Sequence, residues 1–418
     1  MDKMLVAKSP ALRGTVATSG AKNAALPILF ASLLADGEHV FHNVPFLKDI
    51  ESTETLLQAL GCKTQRDGHT LRVTVKRPEK LEAHYDLVRK MRASILCLGP
   101  LLAKYHKAVV SLPGGCAIGT RPINLHLDAM KEMGAEIQLE KGYVIATAEG
   151  GLRGGQVLFE NATVGGTENL MMAAAIADGE TVIENAAKEP EVVDLANYLI
   201  KMGAKITGAG TSIIRIQGVD KLTPAEHSVI PDRIEAGTLL IAGAITGGEV
   251  TVTNCRPLDF DPLTKKLMES GFDLRVEHES VTVMPQLTWR GVDLTTAPHP
   301  AFPTDLQAQF MALATQAEGT SVITETVFEN RFMHVQELTR LGADITPKTR
   351  VAVVRGRKGG LAGAPVMATD LRASASLVLA GLVAEGETEV NRIYHLDRGY
   401  ERLEEKLQSL GAKVKRQN

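Results

Sequence analysis

One cysteine lies in a glycine-rich segment with the features of an anion-binding loop. Residues 112–122 have the sequence LPGGCAIGTRP, so Cys116 follows two glycines and precedes Arg121 and Pro122. Glycines let loop amides approach a ligand closely. Pro122 favours the start of a helix, where free N–H groups attract an anion. The same setting activates a thiol or prepares it to donate a proton.

This segment is longer than its counterpart in the next part of the chain. Twelve positions separate Val110 from Pro122, whereas seven separate Ile183 from Pro190. Extra loop length is more often functional than structural. The insertion therefore favours a chemical role for Cys116, and an incidental surface cysteine stays the alternative.

Basic residues recur where apolar helices are expected to begin. Lys22, Arg92, Arg233 and Arg372 occupy such starts, and Arg121, Arg331 and Arg398 lie near the starts of other helices. A cation opposes the dipole at a helix N-terminus, so this repetition indicates anionic ligands. Local pairing of Arg233 with Asp232 and of Arg372 with Asp370 is the alternative. Lys22 and Arg92 have no adjacent acid.

Three aspartates occupy equivalent positions before apolar helices, namely Asp232, Asp305 and Asp370. Helix N-capping accounts for such a position. Asp305 differs because no arginine follows it, so we expect a more basic carboxylate that is better suited to accept a proton. His126 and His299 also lie near these segments, but a structural role is as compatible with their positions.

Composition restricts the class of protein. The 418 residues include 44% hydrophobic and 23% charged residues, and a net charge of −3 leaves no basic excess for nucleic-acid binding. Four separated cysteines without a C-x-x-C pair argue against a metal site and favour a reducing compartment. No signal peptide, membrane span, P-loop or dinucleotide motif is present, so we predict a cytoplasmic protein without cofactor or metal. We interpret Cys62, Cys97 and Cys255 as small core residues.

The elements that must position these residues repeat six times. A glycine that follows an amphipathic helix recurs every 68 to 73 residues, at Gly61, Gly134, Gly203, Gly271, Gly342 and Gly411. Such a glycine is typical of a helix C-terminus. Each repeat is predicted to contain an entirely apolar helix, a strand, an outer helix and a hairpin.

The repeats divide by symmetry into two lobes of three. The last repeat lacks a strand, and the chain begins with strand-like residues 4–7 and 14–17, so we expect the N-terminal strands to pair with the C-terminal one. This places residues 21–229, with the cysteine loop at 111–122, in one lobe. Residues 1–20 and 230–418 form the second, with an active site in the cleft between them.

The chain resembles the UDP-N-acetylglucosamine 1-carboxyvinyltransferases, a branch of the enolpyruvyl transferase family. The resemblance covers essentially the whole length and rests on residues 19–24 (SGAKNA), 91–94 (MRAS), 113–122, 302–305 (FPTD), 325–334, 370–372 (DLR) and 397–400 (DRGY). It implies an α/β fold of two lobes, each an inside-out α/β barrel of three repeats.

The resemblance also implies a reaction and its residues. Phosphoenolpyruvate and UDP-N-acetylglucosamine would give an enolpyruvyl ether and phosphate through a tetrahedral intermediate, the first committed step of peptidoglycan synthesis. Cys116 would donate a proton and form a covalent adduct, and Asp305 would be the general base. Phosphoenolpyruvate would bind Lys22, Asn23, Arg121 and Arg398. The nucleotide sugar would bind Arg92, Arg121, Pro122, Ile123, Asn124, Leu125, Asn161, Ala162, Thr163, Val164, Asp305 and Val327. Arg331, Asp370 and Arg372 would line the cleft and respond to its closure.

The chain departs from the family pattern at two positions, and two alternative functions remain. Asn124 and Asn161 stand where related enzymes often carry an acid and a lysine, which puts some nucleotide contacts in doubt. A 5-enolpyruvylshikimate-3-phosphate synthase shares the implied fold, but the thiol at Cys116 argues against it. A binding paralogue without turnover is the second alternative, opposed by the joint presence of Lys22, Cys116, Asp305 and Arg398. The thiol also implies sensitivity to the epoxide fosfomycin.

Overall fold

Strands and helices alternate along the chain. The computed structural model describes residues 2–77, 81–88, 91–112 and 123–417. The strands in these ranges are β1 Lys3–Ala7, β2 Arg13–Ala17, β3 Gly37–His42, β4 Lys63–Asp67, β5 Thr70–Val75, β6 Glu82–Ala83, β7 Lys107–Ser111, β8 Glu136–Glu140, β9 Tyr143–Thr147, β10 Gln156–Leu158, β11 Glu180–Glu184, β12 Lys205–Thr207, β13 Ile213–Gln217, β14 Glu226–Ser228, β15 Glu249–Thr253, β16 Leu274–Val276, β17 Ser280–Val283, β18 Leu294–Thr295, β19 Gly319–Thr324, β20 Asp344–Lys348, β21 Val351–Gly356, β22 Pro365–Met367, β23 Glu387–Asn391 and β24 Lys413–Gln417.

The helices fall between these strands. The α-helices are α1 Lys22–Ala31, α2 Lys48–Ala59, α3 Tyr85–Val88, α4 Leu98–Tyr105, α5 Asn124–Glu132, α6 Val164–Ala174, α7 Pro190–Lys201, α8 Arg233–Ile245, α9 Asp261–Ser270, α10 Gln307–Ala314, α11 His334–Arg340, α12 Leu371–Gly381 and α13 Leu403–Ser409. Short 3₁₀ helices span Ser32–Leu34, Arg92–Cys97, Pro257–Phe260, Thr304–Leu306 and Ile393–Arg398. None of the helices described is long and apolar enough to cross a membrane.

The described residues form two compact units, each with its own hydrophobic core. The discontinuous unit contains the residues up to Ser19 and those from Pro231 onward. The central unit contains the described residues from Gly20 to Ile230.

Each unit contains three four-stranded sheets with one common plan. The orders are β14-β3-β5-β4, β6-β7-β9-β8 and β10-β11-β13-β12 in the central unit, and β16-β17-β15-β2, β18-β19-β21-β20 and β22-β23-β1-β24 in the discontinuous unit. Every sheet has one parallel pair at one edge and two antiparallel pairs. Six equivalent sheets confirm the six repeats.

The helices predicted to be apolar on all sides are buried inside the units. In the discontinuous unit, α8, α10 and α12 contact one another, and nearly all their residues are buried. In the central unit, α6 contacts α1 and α4 in the same way. Helices inside and sheets outside confirm the inside-out α/β arrangement, because only such helices can bury every face.

The repeated glycines end the outer helices in the left-handed conformation. Their φ angles lie between 88° and 109°, the region that glycine adopts without a steric penalty. The helix-terminating role predicted for all six is confirmed.

The pairing of the N-terminal strands is only partly as expected. Strand β1 lies between β23 and β24, so the last sheet is completed by the start of the chain. The expectation for β2 is wrong, because it pairs in parallel with β15. Strand β24 pairs with β1, whereas β2 buries Val16 beside Val252. In the central unit, β14 pairs with β3 in the same parallel manner.

Candidate active site

Asp305 in the discontinuous unit is held by two buried arginines. It lies in the 3₁₀ turn Thr304–Leu306 that leads into α10. Its Oδ1 accepts a hydrogen bond from Arg331 Nη2 at 2.8 Å, and its Oδ2 accepts two from Arg372, from Nε at 3.1 Å and Nη2 at 2.9 Å. Both arginine side chains are 4% exposed, whereas the Asp305 side chain is 26% exposed. One face of this carboxylate therefore remains accessible.

This arrangement corrects two expectations. Asp305 was expected to lack a neighbouring cation, which is wrong, because its arginines lie 26 and 67 residues further along the chain. Arg372 does not pair with Asp370. Asp370 instead caps α12, its Oδ1 accepting from the N–H groups of Arg372 and Ala373. Burial lowers the pKa of Arg372, but Asp305, Tyr400 and Asp232 together raise it by more, so the guanidinium stays charged. Two such cations favour the ionised form of Asp305.

A buried polar network holds the backbone of Asp305 in place. Gln309 Nε2 donates to the Asp305 carbonyl oxygen at 2.9 Å and lies 3.0 Å from the Tyr400 hydroxyl. That hydroxyl also lies 3.0 Å from Thr238 Oγ1, and the Arg372 guanidinium lies 5.3 Å from the centre of the Tyr400 ring. Gln309 and Thr238 were missed by the sequence analysis, because a polar residue inside an apolar helix carries no local signal for its partner.

Arg398 lies between two anchored residues. It ends the 3₁₀ helix Ile393–Arg398 and is half-buried. Before it, Asp397 accepts hydrogen bonds from both terminal nitrogens of Arg416, at 2.6 and 3.0 Å. After it, the backbone of Gly399 packs so closely that a Cβ would lie 2.5 Å from Leu371. The backbone that carries Arg398 is therefore fixed on both sides.

Lys22 in the central unit has an acidic partner that its neighbours in sequence did not reveal. It begins α1, is buried, and donates from Nζ to Asp49 Oδ2 at 3.1 Å. Asp49 lies in the first turn of α2, 27 residues away. Asn23 occupies the same first turn of α1 and is partly exposed. The helix N-terminus and the ammonium group together form a positive region that suits an anion.

Arg92 and His126 lie together in the central unit. Arg92 begins the 3₁₀ helix Arg92–Cys97 and is partly exposed. His126 on α5 is buried, and its Nδ1 lies 3.2 Å from Asn169 Nδ2. Burial, followed by the charge of Arg92, lowers the pKa of His126 to about 4. His126 is therefore neutral at physiological pH and accepts the Asn169 hydrogen bond.

The segment 161–164 leads into α6, which begins at Val164. Asn161 and Ala162 are exposed, and Thr163 caps the helix by accepting from Gly166 N at 3.3 Å. His126 packs against this first turn, since a Cβ on Gly165 would lie 3.1 Å from its ring. At the start of α5, Ile123 before the helix and Leu125 within it are partly buried, and Asn124 between them is exposed. Three regions assigned to the nucleotide sugar, Arg92, 123–125 and 161–164, thus lie around His126 in the central unit.

Three of the predicted site residues, Cys116, Arg121 and Pro122, lie outside the described residues. The remaining three cysteines are buried, as predicted. Burial raises the thiol pKa of Cys62 and Cys97 to about 12 and that of Cys255 to about 11. None of these three is a nucleophile near neutral pH. The described residues contain no cluster of acidic, histidine or cysteine side chains suited to a metal ion.

Comparison with known proteins gives one consistent result. The family model for EPSP synthase (3-phosphoshikimate 1-carboxyvinyltransferase) matches residues 6–407. A UDP-N-acetylglucosamine 1-carboxyvinyltransferase of Bdellovibrio bacteriovorus is 70% identical over 99% of this chain and 100% of its own length. The enzyme of that name from Myxococcus xanthus is 57% identical over 100% of both chains.

Solved structures share the fold. The enolpyruvyl transferase NikO from Streptomyces tendae superimposes with a TM-score of 0.89 at 27% identity, covering 99% of this chain and 98% of its own. An EPSP synthase from Acinetobacter baumannii gives a TM-score of 0.79 over 100% of both chains, at 19% identity, which supports the fold alone. The chain therefore belongs to the EPSP synthase family of enolpyruvyl transferases, in which its near relatives are the UDP-N-acetylglucosamine 1-carboxyvinyltransferases.

Proposed function

We propose that this enzyme transfers the enolpyruvyl group of phosphoenolpyruvate to the 3-hydroxyl of UDP-N-acetylglucosamine and releases phosphate, the first committed step of peptidoglycan precursor synthesis. The observation that carries the proposal is the full-length similarity to transferases of that name, at 70% identity, together with Cys116 and Asp305. Two anionic substrates would also suit the positive helix starts at Lys22 and Arg92, whereas Arg372 is bonded to Asp305.

The proposed reaction needs two proton transfers, one at the sugar 3-hydroxyl and one at C3 of phosphoenolpyruvate, and each is assigned to one residue. Asp305 takes the proton of the sugar 3-hydroxyl while the oxygen of that hydroxyl bonds to C2 of phosphoenolpyruvate. Cys116 gives a proton to C3. The product of this addition is a tetrahedral phosphate ketal. In the elimination, C3 returns a proton to the Cys116 thiolate, the C2–O bond to phosphate breaks, and phosphate leaves with the proton from Asp305. An ionised Asp305, held by two guanidinium groups, is the form required of the base.

The remaining assignments concern binding. Lys22, Asn23, Arg121 and Arg398 are proposed to bind the phosphate and carboxylate of phosphoenolpyruvate, since paired cations match such groups. Arg331, Asp370 and Arg372 are proposed to support Asp305 and to respond to substrate binding. The nucleotide sugar is assigned to residues of both units: Arg92, Arg121, Pro122, Ile123, Asn124, Leu125, Asn161, Ala162, Thr163, Val164, Asp305 and Val327.

Phosphate release tests the proposal against its two alternatives. Wild type is incubated with phosphoenolpyruvate and either UDP-N-acetylglucosamine or shikimate 3-phosphate, beside Cys116→Ala and the matched variant Cys62→Ala. We expect release with UDP-N-acetylglucosamine alone, a loss of at least ~100-fold in Cys116→Ala, and near-normal rates in Cys62→Ala. Release with shikimate 3-phosphate alone would make the chain an EPSP synthase, and no release with either would favour a binding paralogue.

The proposed role of the Cys116 thiol also bears on how the enzyme is inhibited and on the compartment in which it works. We propose that fosfomycin, an epoxide, alkylates Cys116 and inactivates the enzyme. An intact-mass adduct that maps to another cysteine would remove Cys116 from this role. The separated cysteines without a C-x-x-C pair favour a reducing compartment, and we propose the cytoplasm.

A further inference from the structure

Glu325 is a buried acid of the discontinuous unit to which no role has been assigned above. It follows strand β19 directly and is 1% exposed. Its Oε1 accepts hydrogen bonds from Val327 N at 2.8 Å, Phe328 N at 3.1 Å and Thr296 Oγ1 at 2.9 Å. Its Oε2 accepts from Thr304 Oγ1 at 2.8 Å. A buried carboxylate with four donors is fully satisfied and is therefore held rigidly.

Three of the four donors come from two segments that the proposed function uses. Thr304 immediately precedes Asp305, the proposed base, in the same 3₁₀ turn. Val327 belongs to the proposed nucleotide-sugar site, and the Glu325 carboxylate fixes its backbone amide. One side chain thus joins the turn that carries the base to the segment that receives the acceptor.

Two further contacts strengthen this connection. The Arg331 guanidinium that holds Asp305 lies 5.5 Å from the centre of the Phe328 ring. Thr296 Oγ1 accepts from Thr326 N at 3.1 Å while it donates to Glu325, and the Thr326 hydroxyl donates to the Thr296 carbonyl oxygen at 2.6 Å. The segment 325–328 is therefore attached both to the turn at Thr304 and to the Arg331–Asp305 pair.

We propose that Glu325 is a positioning residue that sets the distance between the Asp305 carboxylate and the sugar hydroxyl by holding Thr304 and residues 327–328 on one carboxylate. This inference rests on the proposed function. Proton transfer requires hydrogen-bond distance between base and hydroxyl. A displacement of about 1 Å in such a geometry lowers a rate by as much as ~100-fold. The effect of breaking the bond between Glu325 and Thr304 should therefore fall mainly on kcat.

The Thr304 hydroxyl permits a narrow test. Thr304→Val removes one donor and keeps the side-chain size, Thr304→Ser restores the donor, and Thr251→Val is a matched control. Thr251 lies in the same unit, and its hydroxyl bonds Thr282 between β15 and β17 at 2.9 Å. We expect kcat to fall ~10 to 100-fold in Thr304→Val, to return to within ~3-fold of wild type in Thr304→Ser, and to stay unchanged in Thr251→Val.

Glu325→Gln tests the other side of the connection. A glutamine supplies one oxygen and turns an NH₂ group toward the donors, so we expect kcat to fall and KM for UDP-N-acetylglucosamine to rise by ~10-fold or more. KM for phosphoenolpyruvate should change less than ~3-fold, because no phosphoenolpyruvate ligand touches this carboxylate among the described residues.

The outcomes separate positioning from a structural role. If Glu325→Gln does not fold, Thr304→Val still decides. Folded Thr304→Val with wild-type kcat, or equal losses in Thr304→Val and Thr304→Ser, would overturn the inference while wild-type transfer leaves the proposed function intact. Absence of transfer in wild type would overturn the proposed function and this inference with it.

Discussion

Substitution of Asp305 by asparagine should destabilise the discontinuous unit as well as remove the proposed base. Asparagine is nearly isosteric but carries no charge, so Arg331 and Arg372 would keep two buried guanidinium groups without a counter-ion. Removing one partner of a buried ion pair costs about 3–5 kcal/mol. Because the Asp305 side chain is 26% exposed and asparagine retains one acceptor oxygen, we expect the lower value, about 3 kcal/mol.

The single tryptophan makes this loss measurable in one unit. Trp289 is buried in the core of the discontinuous unit and donates from Nε1 to the Leu313 carbonyl oxygen at 3.3 Å. Urea unfolding followed by tryptophan fluorescence therefore reports on that unit. With an m-value of about 3 kcal/mol/M, the midpoint of Asp305→Asn should fall by about 1 M.

Three comparisons decide whether the ion pairs cause the change. Asp49→Asn removes the partner of Lys22 in the central unit and should leave the Trp289 transition unchanged. Glu385→Gln breaks an exposed pair with Lys8 and should cost at most about 1 kcal/mol. Added sulfate should stabilise Asp305→Asn more than wild type, because an anion can replace the carboxylate. A midpoint within error of wild type would show that the two ion pairs of Asp305 do not stabilise this unit.

Three other predictions follow from burial and packing. The pKa of His126 is about 4 when folded and about 6.5 when unfolded, so the unfolded chain binds more protons between these values. The central unit should lose at most about 3 kcal/mol as pH falls from 6.5 to 4, and hydrogen exchange of its peptides should show a smaller loss in His126→Gln; an equal loss would contradict this. Iodoacetamide should modify Cys116 in the native protein and spare the other three cysteines, whose thiol pKa values burial raises; equal modification in peptide mass maps would contradict it. Gly399→Ala should push against Leu371, displace Arg398 and raise KM for phosphoenolpyruvate ~10-fold without unfolding; an unchanged KM would count against the packing argument.

The repeat architecture was predictable because its signals are local. A buried helix is a run of apolar residues, and its start at Lys22 or Arg233 is visible in the sequence itself. The terminating glycines are equally local. The short strands before the buried helices were missed, since two or three residues, as in β6 and β18, cannot display an alternating pattern. The parallel pairing of β2 with β15 was missed because nothing near β2 encodes it.

In the site, too, features set by neighbouring residues were predictable, and contacts between distant segments were not. N-capping by Asp232 and Asp370 was correctly anticipated from their positions before helices. The partners of Asp305 and Lys22 were not, because Arg331, Arg372 and Asp49 approach from other elements of the fold. A carboxylate judged free of cations from its neighbours is bound by two, and only the folded chain shows which cations are bonded to another side chain.

A competition between two acceptors tests most directly which molecule receives the enolpyruvyl group. Wild-type enzyme receives phosphoenolpyruvate with equal concentrations of UDP-N-acetylglucosamine and shikimate 3-phosphate, and the products are separated and identified by mass. We expect the 3-O-enolpyruvyl ether of UDP-N-acetylglucosamine alone, in an amount equal to the phosphate released. Enolpyruvyl shikimate 3-phosphate as the main product, or phosphate released without either ether, would contradict it.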